Sequence, residues 1–399
     1  MQQSTDQHFS LTSYYGLLQG SFWMSHATIM GFATVYLQDK GLSNTSIGLL
    51  LALGTILSIF LQPVFGSLVD RSPKLTMLHI LFICTLFIGF CGLLLQFVSF
   101  SFFAISFSFI AIVSLFSSFP AFLNVVAMDY INAGRKLNFG LGRGIGSISY
   151  AFIALIMGLL VKRFGSEIIV PTFLILLLLH FIIICALEKK SPLLKWNSSS
   201  STTSSSPSPL EGFLAFFKNY KRFSCLLIGL MFLFVGHASL NTYHINIIKN
   251  VGGDTSNMGF SFALSAAMEL PSMLLFTFFI SKFKCSTLLK ISAFFFTMKA
   301  LIIALSTQVM GIYFSQCFQF FSFAIFVPAS VYYVNHLIEK RYRGMGQALL
   351  GAATVGLGGT LGNFFAGKIL DLFPVQEMLI FAVIISALGF IITFFTVED

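Results

Sequence analysis

Three charged side chains stand inside long apolar stretches: Arg143 in NFGLGRGIGSISYAF (138–152), Glu269 in ALSAAMELPSMLLF (263–276) and Lys299 in FFFTMKALII (294–303). A lone charge in hydrocarbon costs about 2.5–3.5 kcal/mol even on the mildest scales, so such residues mark function by default. A guanidinium offers a planar fork that holds two oxygens at once, and a carboxylate accepts hydroxyl protons or takes up a proton itself. Tyr150 follows Arg143 by seven residues, close to two helical turns, which sets a ring on the same side as a fixed donor. The glycines at 140, 142, 144 and 146 fall as GxGxGxG with no strand before them, which is not a phosphate loop. As a helix they form two small-xxx-small pairs that let a neighbour approach closely and aim Arg143.

Further polar residues share these stretches. Asp129 and Arg143 flank the turn NAGRKLNF (132–139) at similar depth, which allows a salt bridge; Asp129 ending its helix is the equal alternative. For Glu269 two compatible roles are open, a proton carrier or a structural partner of Lys299, and Pro271 beside it predicts a locally irregular helix that lines a cavity. His237, Asn241 and His244 sit at i, i+4 and i+7. They make a polar wall for solute hydroxyls or a helix-packing face; with no acid or cysteine beside them they do not make a metal site. Gln316, Gln319, Gln19 and His26 are read in the same two ways, with His26 and His180 placed among packing residues.

The elements that must carry these side chains are membrane helices. Of 399 residues 56% are hydrophobic and only 9% charged, with 50 phenylalanines, far from a soluble surface. Twelve stretches are long enough to span a bilayer: 11–37, 45–66, 75–98, 101–128, 139–162, 167–187, 223–248, 257–280, 286–307, 311–337, 345–369 and 376–396. Continuous runs of this kind exclude a strand barrel, whose segments alternate over roughly ten residues. The fold class is therefore an all-α membrane protein.

The net charge of +9 follows topology and needs no nucleic acid. With the N-terminus in the cytoplasm, sixteen Lys and Arg fall in inside loops and five in outside loops, which predicts both termini cytoplasmic in a multi-pass protein of the cell membrane. MQQSTDQHFS lacks a basic n-region, so no cleavable signal is expected. The six cysteines show no paired spacing and read as packing residues. KKSPLLKWNSSSSTTSSSPSPLEG (189–212) has nothing to bury, and it predicts an N-terminal six-helix bundle (1–190), a flexible cytoplasmic linker (191–212) and a C-terminal six-helix bundle (213–399).

The halves echo each other: GLSNTSIG (41–48) precedes the second span and GGDTSNMG (252–259) the eighth, and GLGGTLGNFFAG lies in the eleventh. Duplicated bundles of six suggest a transporter whose halves rock about a central site. GSLVDRSPKL (66–75), after the second span, resembles the loop signature of the major facilitator superfamily: Gly66, Leu68, Asp70, Arg71, Pro73 and Lys74 match, and Leu75 stands where a second basic residue is usual. An aspartate there can hold the positive start of a neighbouring helix and lock a cytoplasmic gate; a solvated aspartate and arginine in a tight turn is the alternative.

ILSIFLQPVFGSLVDR (56–71), NFGLGRGIGSISYA and the eighth-span glutamate also resemble the lactose permease type of proton symporter and its relatives for oligosaccharides and nucleosides. That resemblance implies that Arg143 binds a hydroxyl pair, that Tyr150 stacks on the solute ring in place of a tryptophan, and that Glu269 contacts the solute. The permease's tenth-span relay falls on Gln316, Gln319 and Ser322, its fourth-span glutamate on Val125, its ninth-span arginine on Lys299, and its seventh-span aspartates near Asn241 and His244. Proton coupling then rests on Glu269.

These observations predict a secondary active transporter importing a small polyhydroxylated solute, an oligosaccharide or a nucleoside, with protons, as a monomer in the bilayer and without cofactor or metal. Arg143, Tyr150, Asp129, Glu269, Asn241, His244 and Gln319 are the expected solute contacts, and Gly66, Asp70, Arg71 and Lys74 the gate. An exporter of amphipathic compounds on the same fold, or a sensor that binds without transport, are the alternatives. No HExxH motif, carboxylate cluster or soluble catalytic domain suggests an enzyme.

Overall fold

The structure is a computed structural model that describes residues 2–72, 74–98, 101–190 and 216–398. The expected linker, 191–212, and Pro73 of the loop signature lie outside them. Among the described residues there is no strand, and eleven helical stretches have the length and composition to cross a membrane. The first span, Gln2–Ile29 continued by Ala33–Asp39, is the more polar remaining one, with Gln19, Ser21, Ser25, His26 and Thr28 in it. The fold is the twelve-helix arrangement of two sets of six.

Several helix starts carry capping side chains. Ser43, Thr76, Ser101, Asn138 and Asp254 each accept a hydrogen bond from an amide in the first turn of the helix that follows. The fourth span runs Phe102–Asn132, so Asp129 lies inside its helix rather than ending it. The eighth, Thr255–Lys282, is one unbroken helix despite Pro271, contrary to the expected irregularity. Irregular backbone occurs elsewhere instead. The seventh span is Lys221–Thr242 then His244–Asn250, the tenth is Val309–Cys317, a 3₁₀ turn at Phe318–Phe320 and Phe323–Leu337, and the eleventh carries a π-helical turn at Ala352–Gly358.

The fifth span, Phe139–Phe164, is the hinge-pin of the packing, because it touches both the first and the eighth spans. Its glycines serve different neighbours. Gly142 lies on the Tyr15 ring and a Cβ at Gly146 would fall 2.5 Å from the Trp23 indole, while Gly144 faces Leu270. Lower down, Gly158 and Gly259 cross with their backbones in contact, an approach that any side chain would prevent.

That crossing lies on the face of the bundle opposite the termini, where the two halves meet. Asp371, at the end of the eleventh span, accepts hydrogen bonds from the amides of Asn44 (2.9 Å) and Thr45 (2.7 Å) and from the Asn44 side chain (3.0 Å). It thus caps the start of the second span, Asn44–Arg71, from across the interface. Tyr243 donates to the carbonyls of Asn44 and Asn363, each at 2.9 Å, Gln38 bonds Asn246 at 2.9 Å, and Lys162 pairs with Asp254 at 2.7 Å. Towards the termini face the halves part. A Cβ at Gly66 or Gly344 would meet no atom within 4 Å, and Asp70, Arg71 and Lys74 are exposed. The molecule is closed at one face and open at the other, the termini face.

Two outcomes follow from the closed face. A carboxylate at a helix start is worth roughly 0.5–2 kcal/mol. Asp371→Ala should therefore enlarge the population open at that face about fivefold. A cysteine placed at Asn241, in a chain freed of its six native cysteines, should react correspondingly faster with an impermeant maleimide added from that face. An unchanged rate would show that Asp371 does not hold the closure. Partial burial works against the Asp254 charge, but the Lys162 ammonium, the Ser256 hydroxyl and the amides of Asn257 and Ser256 outweigh it and hold its pKa down to about 2. The stability it lends is present above the ordinary carboxylate range and is lost only as pH falls through about 2. Maleimide rates at this face should accordingly show no dependence on this pair between about pH 5 and 8.

Candidate functional site

Between the halves lies a cavity of about 360 Å³ whose walls come from five spans. The first contributes Trp23, His26, Met30 and Gly31; the fifth Arg143, Ser147 and Tyr150; the seventh His237, Asn241 and Thr242; the eighth Phe262, Ser265, Ala266 and Glu269; the tenth Gln319 and Phe323. Three of these five spans, the first, seventh and tenth, are broken at membrane depth, where irregular backbone is tolerated only when it lines a cavity or is buried in protein.

On the N-terminal wall the Arg143 guanidinium lies over the Trp23 ring, 4.9 Å from its centroid. A cation on an indole face away from water is worth about 2 kcal/mol or more. Trp23 is itself held: its indole N–H donates to Gln19 Oε1 (3.1 Å), Gln19 donates to the Tyr15 hydroxyl (2.7 Å), and Tyr15 donates to the Leu123 carbonyl of the fourth span (3.3 Å). Arg143 is thus aimed by a chain that crosses from the first to the fourth span. Its electrostatic neighbours are Glu269 and Tyr15, in place of the Asp129 that the turn geometry allowed, and Asp129 does not line the cavity. Tyr150 does, edge-on to Trp23 at 6.3 Å.

The opposite wall holds a second chain. Lys299 donates to Gln319 Oε1 at 2.7 Å, and Gln319 Nε2 donates to Glu269 Oε1 at 3.0 Å. An ammonium can only donate and an ionised carboxylate only accept, so the amide between them is fixed in one orientation. Lys299, 3% exposed, stands behind the wall, and the pairing with Glu269 that the sequence suggested runs through Gln319 rather than by direct contact. Gln319 sits in the 3₁₀ turn that interrupts the tenth span. The Phe320 carbonyl of that turn accepts from Ser272 of the eighth span at 2.8 Å, while Ser322 donates to the Phe318 carbonyl and Ser292 of the ninth span to the Ser322 carbonyl, at 2.8 and 2.9 Å, those two carbonyls also accepting from backbone amides.

The seventh span separates residues that a continuous helix would have aligned. Asn241 donates to His237 Nε2 at 2.8 Å, and His237 stacks on Phe323 with centroids 5.4 Å apart, both facing the cavity. The break after Thr242 turns His244 away from them. It is 2% exposed, stacked on Phe262 and bonded to Ser261 at 2.8 Å, off the cavity wall. Among the described residues no three His, Cys, Asp or Glu side chains come together as a metal site. His26, read as packing, is on the wall. Trp23 was missed altogether, although its spacing of three and seven residues from His26 and Met30 on one helix face was available.

Residues 20–383 match the model of the MFS_1 like family. The chain is 23% identical to the uncharacterized transporter YwbF of Bacillus subtilis, covering 96% of this chain and 94% of that protein. It is 25% identical to the maltose permease of Geobacillus stearothermophilus, over 90% and 88% of the two. Among solved structures it is similar to the nucleoside transporter NupG, with a TM-score of 0.79 at 17% identity over 97% of this chain and 98% of that one. It is also similar to an inward-facing, unoccupied bacterial homologue of the human lysosomal transporter Spinster, with a TM-score of 0.71 at 15% identity over 98% of both. A bilayer-length helical bundle around a walled central cavity, and a family match over most of the chain, lead to one conclusion: the protein belongs to the MFS_1 like family and is a membrane transporter of the major facilitator superfamily, not an enzyme.

Proposed function

We propose that the protein imports a small polyhydroxylated solute, an oligosaccharide or a nucleoside, together with protons, by alternating access, with both termini in the cytoplasm. The observation that carries this reading is the pairing of walls: Arg143 on one side, and the Lys299–Gln319–Glu269 chain on the other, across a cavity flanked by Trp23, Tyr150 and Phe323. A guanidinium fork and a carboxylate facing each other suit a ring bearing several hydroxyls, which accepts from one and donates to the other. Rings on both walls suit the apolar faces of such a solute. The activities for which the relatives are named, maltose permease and nucleoside transporter, belong to this substrate class.

Glu269 is the one carboxylate among the residues lining the cavity. A carboxylate that opens to water on alternate sides exchanges its proton with whichever side is open. Solute hydroxyls and the proton address the same oxygens, which ties their movements together. With the termini cytoplasmic, the observed conformation is inward-open, and the exposed Asp70 and Arg71 are a gate disengaged. The placement of Asp129 and His244 removes both from the proposed solute contacts in this conformation. The two sets of helices, 1–190 and 213–399, are the moving bodies, joined by 191–212.

In proteoliposomes with an internal pH dye, inward uptake of maltose or uridine should acidify the lumen, and Glu269→Gln should abolish the acidification while solute exchange persists with weakened affinity. Acidification unchanged in that variant would remove Glu269 from coupling, and solute moving outward against the proton gradient would favour an exporter. Arg143→Lys keeps the charge but loses the fork and most of the contact with Trp23, and should weaken solute binding about 10- to 100-fold. Unaltered affinity would take Arg143 out of the site.

A further inference from the structure

The histidines of the membrane interior differ in one respect. His180 Nδ1 bonds Ser21 Oγ at 2.8 Å, His237 Nε2 bonds Asn241 at 2.8 Å and His244 Nε2 bonds Ser261 at 2.8 Å. His26 has neither ring nitrogen bonded, and its Nδ1 is buried; His180 Nε2 is also buried without a partner, but of the two only His26 lines the cavity. The hydroxyls nearest it along the first span are committed to their own helix: Ser21 donates to the Leu18 carbonyl, Ser25 to Ser21 and Thr28 to Met24. An enclosed polar atom without a partner is costly and rare, and in a native structure it calls for a ligand or an explanation.

The surroundings of His26 say which ligand. Its ring stands between Trp23 and Tyr150, with centroids 5.2 and 6.5 Å away, on the wall that presents Arg143, and Phe22 and Phe116 close it from behind at 5.7 and 6.1 Å. None of these rings hydrogen-bonds Nδ1 here, the Trp23 N–H being given to Gln19, and the part-exposed His26 ring meets open space on the cavity side, from which a partner can reach it. A neutral imidazole has one donor and one acceptor nitrogen, and a half-turn about χ2 brings Nδ1 to the opposite edge of the ring. A hydroxyl, which both donates and accepts, satisfies either tautomer; an aliphatic or aromatic surface satisfies neither.

We propose that His26 is a specificity-determining residue, whose imidazole hydrogen-bonds a ring hydroxyl of the solute between Trp23 and Tyr150. This rests on the reading of the cavity as a site for a polyhydroxylated solute. It adds to that reading a third point of attachment, on the first span, which selects hydroxylated rings over amphipathic cargo of similar size.

The chain has two tryptophans, Trp23 and Trp196, so Trp196→Phe leaves one fluorophore, in the cavity wall beside His26. In that background, fluorescence titration with maltose and with uridine gives a Kd for each. His26→Phe keeps a ring and removes the nitrogens, and should raise the Kd of the bound solute about tenfold. His26→Asn sets an amide near the place of Nδ1 and should restore binding to within about threefold of the parent. Parent binding retained in His26→Phe overturns the inference and leaves the solute class standing. Equal loss in both variants also overturns it, since ring shape rather than hydrogen bonding would then be what matters. A parent chain that responds to neither solute overturns the solute class itself, and the inference with it.

Discussion

Glu269 reaches its cation only through an amide. That arrangement governs much of the rest, because a carboxylate and an ammonium in direct contact would neutralise each other and leave little for a solute to address. Gln319 satisfies one Glu269 oxygen and the Lys299 ammonium at once, and it keeps the two charges one side chain apart. The wall therefore carries opposite charges that are answered but not cancelled. Facing it, Arg143 lies on a π surface and feels Glu269 across the cavity without an ion-pair contact. Neither wall is self-sufficient, which is a condition for binding a polar guest between them.

Holding such groups in hydrocarbon demands close backbone packing around them. The fifth span is narrow where it must be, with Gly142 and Gly146 against Tyr15 and Trp23 and Gly158 against Gly259. The same helix thus aims Arg143 and closes the face opposite the termini. Closure at that face is otherwise a matter of polar capping, with Asp371 answering the amides at the start of the second span. At the other end, Asp70 of the 66–75 loop is exposed.

Much of the architecture was legible in the sequence, because bilayer-length apolar runs and capping residues are local signals. The twelve spans, the buried charges and the polar character of Asn241 and Gln319 all follow from residue type and period. What was not legible depends on breaks that no local signal announces. Proline at 271 suggested an irregular eighth span, yet the helix continues, and the interruption falls in the tenth span at FQF, a sequence with no breaker in it. Serines on two other helices bond one carbonyl in it, Phe320, and one just after it, Ser322. His244 was placed beside Asn241 by helical period, and the break at Tyr243 voids that period. Trp23 has a helical spacing to His26, but one aromatic in a chain with 50 phenylalanines stands out only once its partner Arg143 is seen over its ring.

The serines that pin the tenth-span turn have a mechanical consequence. Ser272 and Ser292 tie that turn to the eighth and ninth spans, and these are the spans that carry Glu269 and Lys299. Acid, amide and amine are therefore mounted on a single stiff bracket rather than on three independently moving arms. In this geometry the gap left unbridged by hydrogen bonds is the one between that bracket and the guanidinium.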